Sequence, residues 1–239
     1  MLRARVTGLG LCFALAACGV EAAGFDCLLQ PSRTVELGTS VNGVIAEYFV
    51  DRGDRVRSGD PVAQLEASSQ QAAVELARAR AEFGKRKVAR NQDLYRDDLL
   101  SIHDKDEVET ESLIAELELN QASVELSLRT IRSPVDGVVM ERQLDAGELV
   151  RDGVIATLAR VNPLHVEVVV PVAYIGQVAV GEKAMVRPEA PVGGEYEATV
   201  TVVDSVVDAA SGTFGVRLRL PNNGAKVPAG IRCQVAFAD

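Results

Sequence analysis

Val41-Asn42-Gly43-Val44-Ile45, then Asp51-Arg52-Gly53-Asp54-Arg55-Val56, then Ser58-Gly59-Asp60-Pro61-Val62-Ala63-Gln64-Leu65 is the stretch that decides the fold, because it is written twice. The second copy reads Val135-Asp136-Gly137-Val138-Val139, then Asp145-Ala146-Gly147-Glu148-Leu149-Val150, then Asp152-Gly153-Val154-Ile155-Ala156-Thr157-Leu158. Gly43, Gly53 and Gly59 match Gly137, Gly147 and Gly153 at a constant offset of 94 residues. Each glycine falls between short β-branched runs and predicts a tight turn with positive φ. One copy is too small to bury its own apolar face, so the two are expected to close on each other as a small β-sandwich. Whatever lies between them must leave the sandwich and return to it.

The intervening sequence is helical in character. From Ser68 to Leu94 it is rich in Ala, Glu, Gln, Arg and Lys and holds no Pro. Ala72, Leu76, Ala79 and Phe83 recur at 4-3-4 spacing, the pattern of a coiled-coil seam. The pattern breaks at Asp97-Asp98 and resumes after Asp104 with Val108, Ala115, Leu119, Ala122 and Leu126. The expectation is two helices of about 25 residues in an antiparallel hairpin about 35–40 Å long. A second apolar row, Leu113, Leu117, Val124 and Leu128, either packs on a neighbouring protomer or widens the contact within the hairpin. Pro134 ends the hairpin by forcing its predecessor out of the helical region.

After Arg160 the apolar period becomes two. Leu164–Val170, Ala184–Val186, Tyr196–Val203, Phe214–Leu220 and Gly230–Phe237 read as strands. Asn162-Pro163, Gly181, Gly193-Gly194, Ser211-Gly212 and Asn222-Asn223-Gly224 punctuate them. With a strand from Cys27 to Val35 they suggest a small barrel.

The paired half-motifs resemble the lipoyl/biotinyl carrier fold split open by an insertion. A split lipoyl domain carrying a helical hairpin resembles the periplasmic adaptors of bacterial tripartite efflux pumps, the membrane fusion proteins of HlyD and RND type. The likeness runs from about Leu28 to the C-terminus. Asp208 to Phe214, the Leu220-Pro221-Asn222 turn and Pro228-Ala229-Gly230 resemble signatures of the adaptor barrel. The fold class this implies is mixed α+β and elongated. A β-barrel would span 25–37 and 159–239, a lipoyl-like β-sandwich 38–66 and 130–158, and an antiparallel α-helical coiled-coil hairpin 67–129. No full membrane-proximal domain is expected, since Asp239 ends the chain.

The function this resemblance implies is that of an adaptor linking an inner-membrane transporter, of the RND class, to a TolC-type outer-membrane channel. Copies would ring together as a hexamer. An adaptor of an ABC exporter is the alternative. Near the hairpin turn the family carries Arg, Leu four residues on, and Ser seven further; Arg90, Leu94 and Ser101 stand at that spacing. The resemblance implies that they meet the channel: a charge-assisted donor, an apolar knob and a hydroxyl. Read without it, Arg90 is a solvated helix residue, Leu94 continues the seam and Ser101 belongs to the turn. The carrier reading demands a Lys where the halves join, and none occurs before Lys85, well inside the insertion.

Acidic residues outnumber basic ones 34 to 25, which leaves no electrostatic footprint for nucleic acid. No Trp is present and aromatics are 4% of residues, which argues against stacking platforms and a large aromatic-lined pocket. No catalytic residue, cofactor or metal is expected. His103 and His165 lack Cys, Asp or Glu partners at ligand spacing. G-x-S-x-G, Walker A and G-x-G-x-x-G motifs are missing. Asp97, Asp98, Asp104 and Asp106 cluster at the hairpin turn without the alternating spacing of a calcium loop.

Residues 1–17 read as a signal peptide: Arg3 and Arg5, then an apolar run from Val6 to Ala17, too short to span a bilayer. Leu15-Ala16-Ala17-Cys18 resembles a bacterial lipobox, which implies lipidation of Cys18 and a membrane anchor facing the periplasm. Ordinary cleavage near Ala22 or Ala23 is the alternative. Cys27 and Cys233 remain at the ends of the mature chain. They are either buried thiols or, as an oxidising periplasm favours, a disulfide.

Overall fold

The computed structural model describes residues 24–97, 101–151 and 153–237. The expected signal peptide and Cys18 lie outside the described residues, as does Asp98 of the acidic cluster.

The two copies of the repeat build a sandwich by exchanging strands. The first supplies β2 (Gly43–Tyr48), β3 (Arg55–Val56) and β4 (Pro61–Leu65). The second supplies β6 (Gly137–Arg142), β7 (Leu149–Val150) and the start of β8 (Val154–Pro171), with β5 (Thr130–Arg132) ahead of it. β2 pairs with β7 and β3 with β6, so each copy completes the other. The offset of 94 reappears in the hydrogen bonds. Gly53 N–H donates to the Val139 carbonyl at 2.9 Å, and Gly147 N–H donates to the Ile45 carbonyl at 2.8 Å. Val139 N–H donates to Asp54 and Ile45 N–H to Glu148, both at 2.9 Å. Even the turn carboxylates repeat: Asp54 accepts from the Asp51 amide at 2.7 Å and Glu148 from the Asp145 amide at 2.8 Å. Ile45, Val62, Leu65, Val139, Val150, Ile155 and Leu158 fill the shared core.

The barrel is a closed ring of six strands, β1 (Phe25–Gly38), β12 (Arg232–Phe237), β9 (Lys183–Pro188), β10 (Tyr196–Val203), β11 (Thr213–Leu220) and β8. Leu29, Leu164, Val166, Val186, Val200, Leu218 and Val235 form its separate core. Closure removes the exposed strand edges that invite aggregation.

β8 corrects one expectation. Asn162-Pro163 does not end a strand; β8 runs through it for 18 residues and pairs with β1 from Cys27–Val168 to Gly38–Val154. The register shifts between Pro31 and Arg33, opposite Asn162-Pro163. At such a bulge the missing N–H of proline has no ladder bond to lose. The β1–β8 ribbon therefore belongs to both cores, and divisions at 37/38 and 158/159 fall inside continuous strands.

The glycines are corrected as well. Gly53, Gly59 and Gly147 adopt positive φ in turns. Gly43 and Gly137 do not. Gly137 is a contact glycine: a Cβ there would lie 2.4 Å from the Ala159 carbonyl oxygen. At Gly43 a Cβ would meet the Arg129 guanidinium at 3.0 Å. These two let a backbone or a side chain come close, which is a different use of the same residue.

Candidate functional site: the helical pair and its tip

Between β4 and β5 stand α1 (Ser68–Arg96) and α2 (Ile102–Ser127), of 29 and 26 residues. At 1.5 Å per residue they reach about 43 Å and 39 Å. α1 starts without a side-chain cap on Ala67, but Glu66 accepts from the Ser68 amide at 3.1 Å, and its hydrogen bonds to Ser68 hold its carboxyl below the usual range. Ser101 caps α2, accepting from the Asp104 amide at 3.2 Å while its hydroxyl donates to the Asp104 carboxylate at 2.6 Å.

The seam of α1 differs from the expected one. Val74, Ala77 and Ala81 are buried, and Gln70, Gly84, Val88, Asn91 and Tyr95 are half-buried at the same 4-3 spacing. Ala72, Leu76, Ala79 and Phe83 are exposed instead, Leu76 by 56% and Phe83 by 59%. The physical reason is size. At Gly84 a Cβ would lie 3.1 Å from the Ser112 Cα, so small residues bring the two backbones together and the bulky row is left outside. On α2 the expected seam faces α1: Val108 is buried and Ala115, Leu119, Ala122 and Leu126 are half-buried, with Ser112 buried among them.

The register is marked by charge. Arg80 meets Glu118 at 3.5 Å, Lys85 meets Glu116 at 3.5 Å and Lys87 meets Glu111 at 2.6 Å. Numbers that rise on one helix fall on the other, so the pair is antiparallel. If the seam is lettered a and d, the partners are g with g or e with e, the flanking positions that set partner and register. Each exposed pair contributes at most about 1 kcal/mol, so their value is in specifying alignment.

The second row on α2 does not widen the contact with α1. Leu113, Leu117, Val124 and Leu128 are exposed, as is Ile114. A shallow groove lined by Leu76, Ala77, Arg80, Glu118 and Gln121 runs along one flank.

At the far end, Arg90 and Ser101 are exposed and Leu94 is 38% exposed, just beside the seam residue Tyr95. The Lys105 ammonium sits 4.8 Å from the Tyr95 ring, binding the two helices near their turn. His103 is exposed there too. His165 lies half-buried on β8; burial, then Arg217, lowers its pKa. Among the described residues no cluster of His, Cys, Asp or Glu could hold a metal ion.

Cys27 and Cys233 are direct register partners on β1 and β12, with Cα atoms 4.8 Å apart and sulfurs 2.00 Å apart. Sequence reading placed Asn222 in a turn but not its role, which is that of a buried polar residue. Its amide donates to the Val161 and Val227 carbonyls at 2.9 and 2.8 Å and its oxygen accepts from Val227 N–H at 3.0 Å, locking the turn after β11 onto β8. Among the described residues no helix is long and apolar enough to cross a membrane.

Two family models match: a CzcB-like barrel-sandwich hybrid domain over residues 33–159 and a CusB-like β-barrel domain over 163–239. The chain is 28% identical over 219 residues to the multidrug resistance protein MdtA of Escherichia coli, covering 81% of this chain and 52% of that protein. It thus spans about half the length of the curated relatives it matches. In structure it resembles a MacA–MexA chimera carrying the α-hairpin of Pseudomonas aeruginosa MexA (TM-score 0.74, 20% identity, 92% of this chain and 84% of that one). It also resembles the membrane fusion protein Spr0693 of Streptococcus pneumoniae (TM-score 0.67, 16% identity, 91% and 99%). With one family model covering more than half of the residues and a second covering most of the remainder, the chain belongs to the membrane fusion protein family of periplasmic adaptors.

Proposed function

We propose that the protein is the periplasmic adaptor of a tripartite efflux system, coupling an inner-membrane transporter of the RND class to a TolC-type outer-membrane channel. The observation that carries this reading is the helical pair. Its own seam is closed by small residues and aligned by ion pairs, yet Leu76, Phe83, Ile114, Leu117 and Val124 stay exposed along its length. Large apolar side chains left exposed at intervals along an extended element support a protein–protein interface. A second copy fits it, since a ring of hairpins, six in the family's pattern, lines a continuous wall and buries each row against a neighbour. The a/d seam and paired flanks support a coiled-coil hairpin. Arg90, Leu94 and Ser101 at its tip would meet the channel. Cys18 would carry the lipid anchor, and the Cys27–Cys233 bridge would staple the barrel in an oxidising compartment. The protein's work is mechanical coupling rather than catalysis.

The test is crosslinking of the full-length protein in cells, followed by mass identification of its inner-membrane partner. Recovery of an RND transporter supports the reading. An ABC transporter would move the adaptor to the other class of exporter. Modification of a Lys by lipoate or biotin in the intact mass would overturn both.

A further inference from the structure

The connection from β8 to β9 crosses the barrel end farthest from the sandwich. β8 and β9 are not neighbours in the ring, so the chain from Val172 to Glu182 passes over the barrel mouth. Val178 is buried there and Tyr174 packs against the barrel core. The Tyr174 ring stands edge-on to Phe25 at 5.0 Å, and Phe25 lies 5.6 Å from Phe237. These inward residues cork the barrel. The outward ones are also apolar: Val172, Ile175 and Val180 are exposed. Val206, in the β10–β11 connection, is 82% exposed. Val172 N–H donates to the Gly212 carbonyl at 2.9 Å, tying that connection to the same end. Four large aliphatic side chains turned outward at one end form a patch that calls for a partner.

The chain itself points to the partner. Gly24 enters β1 at this end and lies six residues after Cys18. Six residues reach about 20 Å at full extension. A lipid on Cys18 therefore holds the corked end within that distance of the bilayer. We infer that this end of the barrel rests on the phospholipid surface, with Val172, Ile175, Val180 and Val206 seated among the headgroups. The inference rests on the proposed lipidation of Cys18. Charge narrows the lipid. Glu182, Asp204 and Asp208 stand near this end against Lys183, and Glu182 and Asp208 already accept from the Ala179 and Ala210 amides. Among the described residues the charge near this end is net acidic, so the surface suits zwitterionic rather than anionic headgroups.

The test uses the full-length lipidated protein in zwitterionic phospholipid vesicles, with an environment-sensitive fluorophore on Val206→Cys and, separately, on Leu117→Cys. Headgroup-nitroxide lipid should cut emission at position 206 by about half and leave position 117 unchanged, because only the first touches the interface. Intact mass of the same sample reports whether Cys18 carries lipid. Lipid on Cys18 with an unquenched position 206 would overturn the inference and leave the anchor standing. An unmodified Cys18 would remove the anchor and the inference together. Shielding of position 206 only when a transporter is co-purified would assign the patch to that protein instead of the bilayer.

Discussion

Ser101 caps α2 through the Asp104 amide, and this changes how its part in channel contact can be tested. Losing an N-cap oxygen costs about 1 kcal/mol, so Ser101→Arg would lower stability and blur any loss of export. Ser101→Asn keeps a capping oxygen and adds bulk, so it should reduce export with melting nearly unchanged. Arg90 is exposed, and its side chain makes no hydrogen bond or ion pair among the described residues. Arg90→Asp should abolish export of a pump substrate while stability shifts by less than about 0.5 kcal/mol. Normal export by both variants would show that the tip spacing has no part in the contact. The cysteines give a second test at this scale. A bridge with a sequence separation of 206 removes chain entropy worth up to about 5 kcal/mol before any native strain. Free-thiol labelling of the unreduced, denatured protein should find neither Cys27 nor Cys233 available, and reduction should lower the melting temperature; full labelling of both would refute the bridge. Cys18→Ser should release the protein into the soluble periplasmic fraction, whereas a wild type that is already soluble and begins near Ala23 would end the anchor proposal.

At the scale of elements, legibility depended on whether spacing alone carried the signal. The sandwich was legible because its two copies keep one offset, and that offset survives into symmetric hydrogen bonds between Gly53 and Val139 and between Gly147 and Ile45. Helix α2 was legible because Val108, Ala115, Leu119, Ala122 and Leu126 are both periodic and apolar. Helix α1 holds two rows with the same spacing, and periodicity cannot choose between them. The larger row, with Leu76 and Phe83, faces out, while Ala77, Ala81 and Gly84 face in because close backbone approach at Ser112 needs small residues. At the barrel, Asn162-Pro163 read as a break because a bulge between two long strands leaves no local mark. Two expectations follow. Gly84→Leu should pry the helices apart, destabilising the hairpin by about 1–3 kcal/mol in thermal melting. Phe83→Asp should leave the lone subunit's melting nearly unchanged but weaken self-association by sedimentation. Unaltered association would show that the outer row does not meet a second copy.

At the scale of the whole molecule, the β1–β8 ribbon joins the two cores without a break, and Arg55 adds a bond of 3.0 Å from its guanidinium to the Gly224 carbonyl. Barrel and sandwich therefore share continuous strands, and the helical pair leaves the sandwich through β4 and β5. This chain order, barrel, sandwich and then helical tip, suits the proposed coupling of one membrane to another, with the proposed anchor ahead of the barrel. The proposed contact between the helical tip and an outer-membrane channel can be measured in cells. The most direct measurement places a photo-crosslinking amino acid at position 90 of the full-length protein in cells and identifies its adducts by mass. An outer-membrane channel protein is expected among those adducts, lost when Ser101 is also replaced by Asn. Adducts confined to the protein's own copies or to inner-membrane proteins, with expression and melting intact, would contradict it.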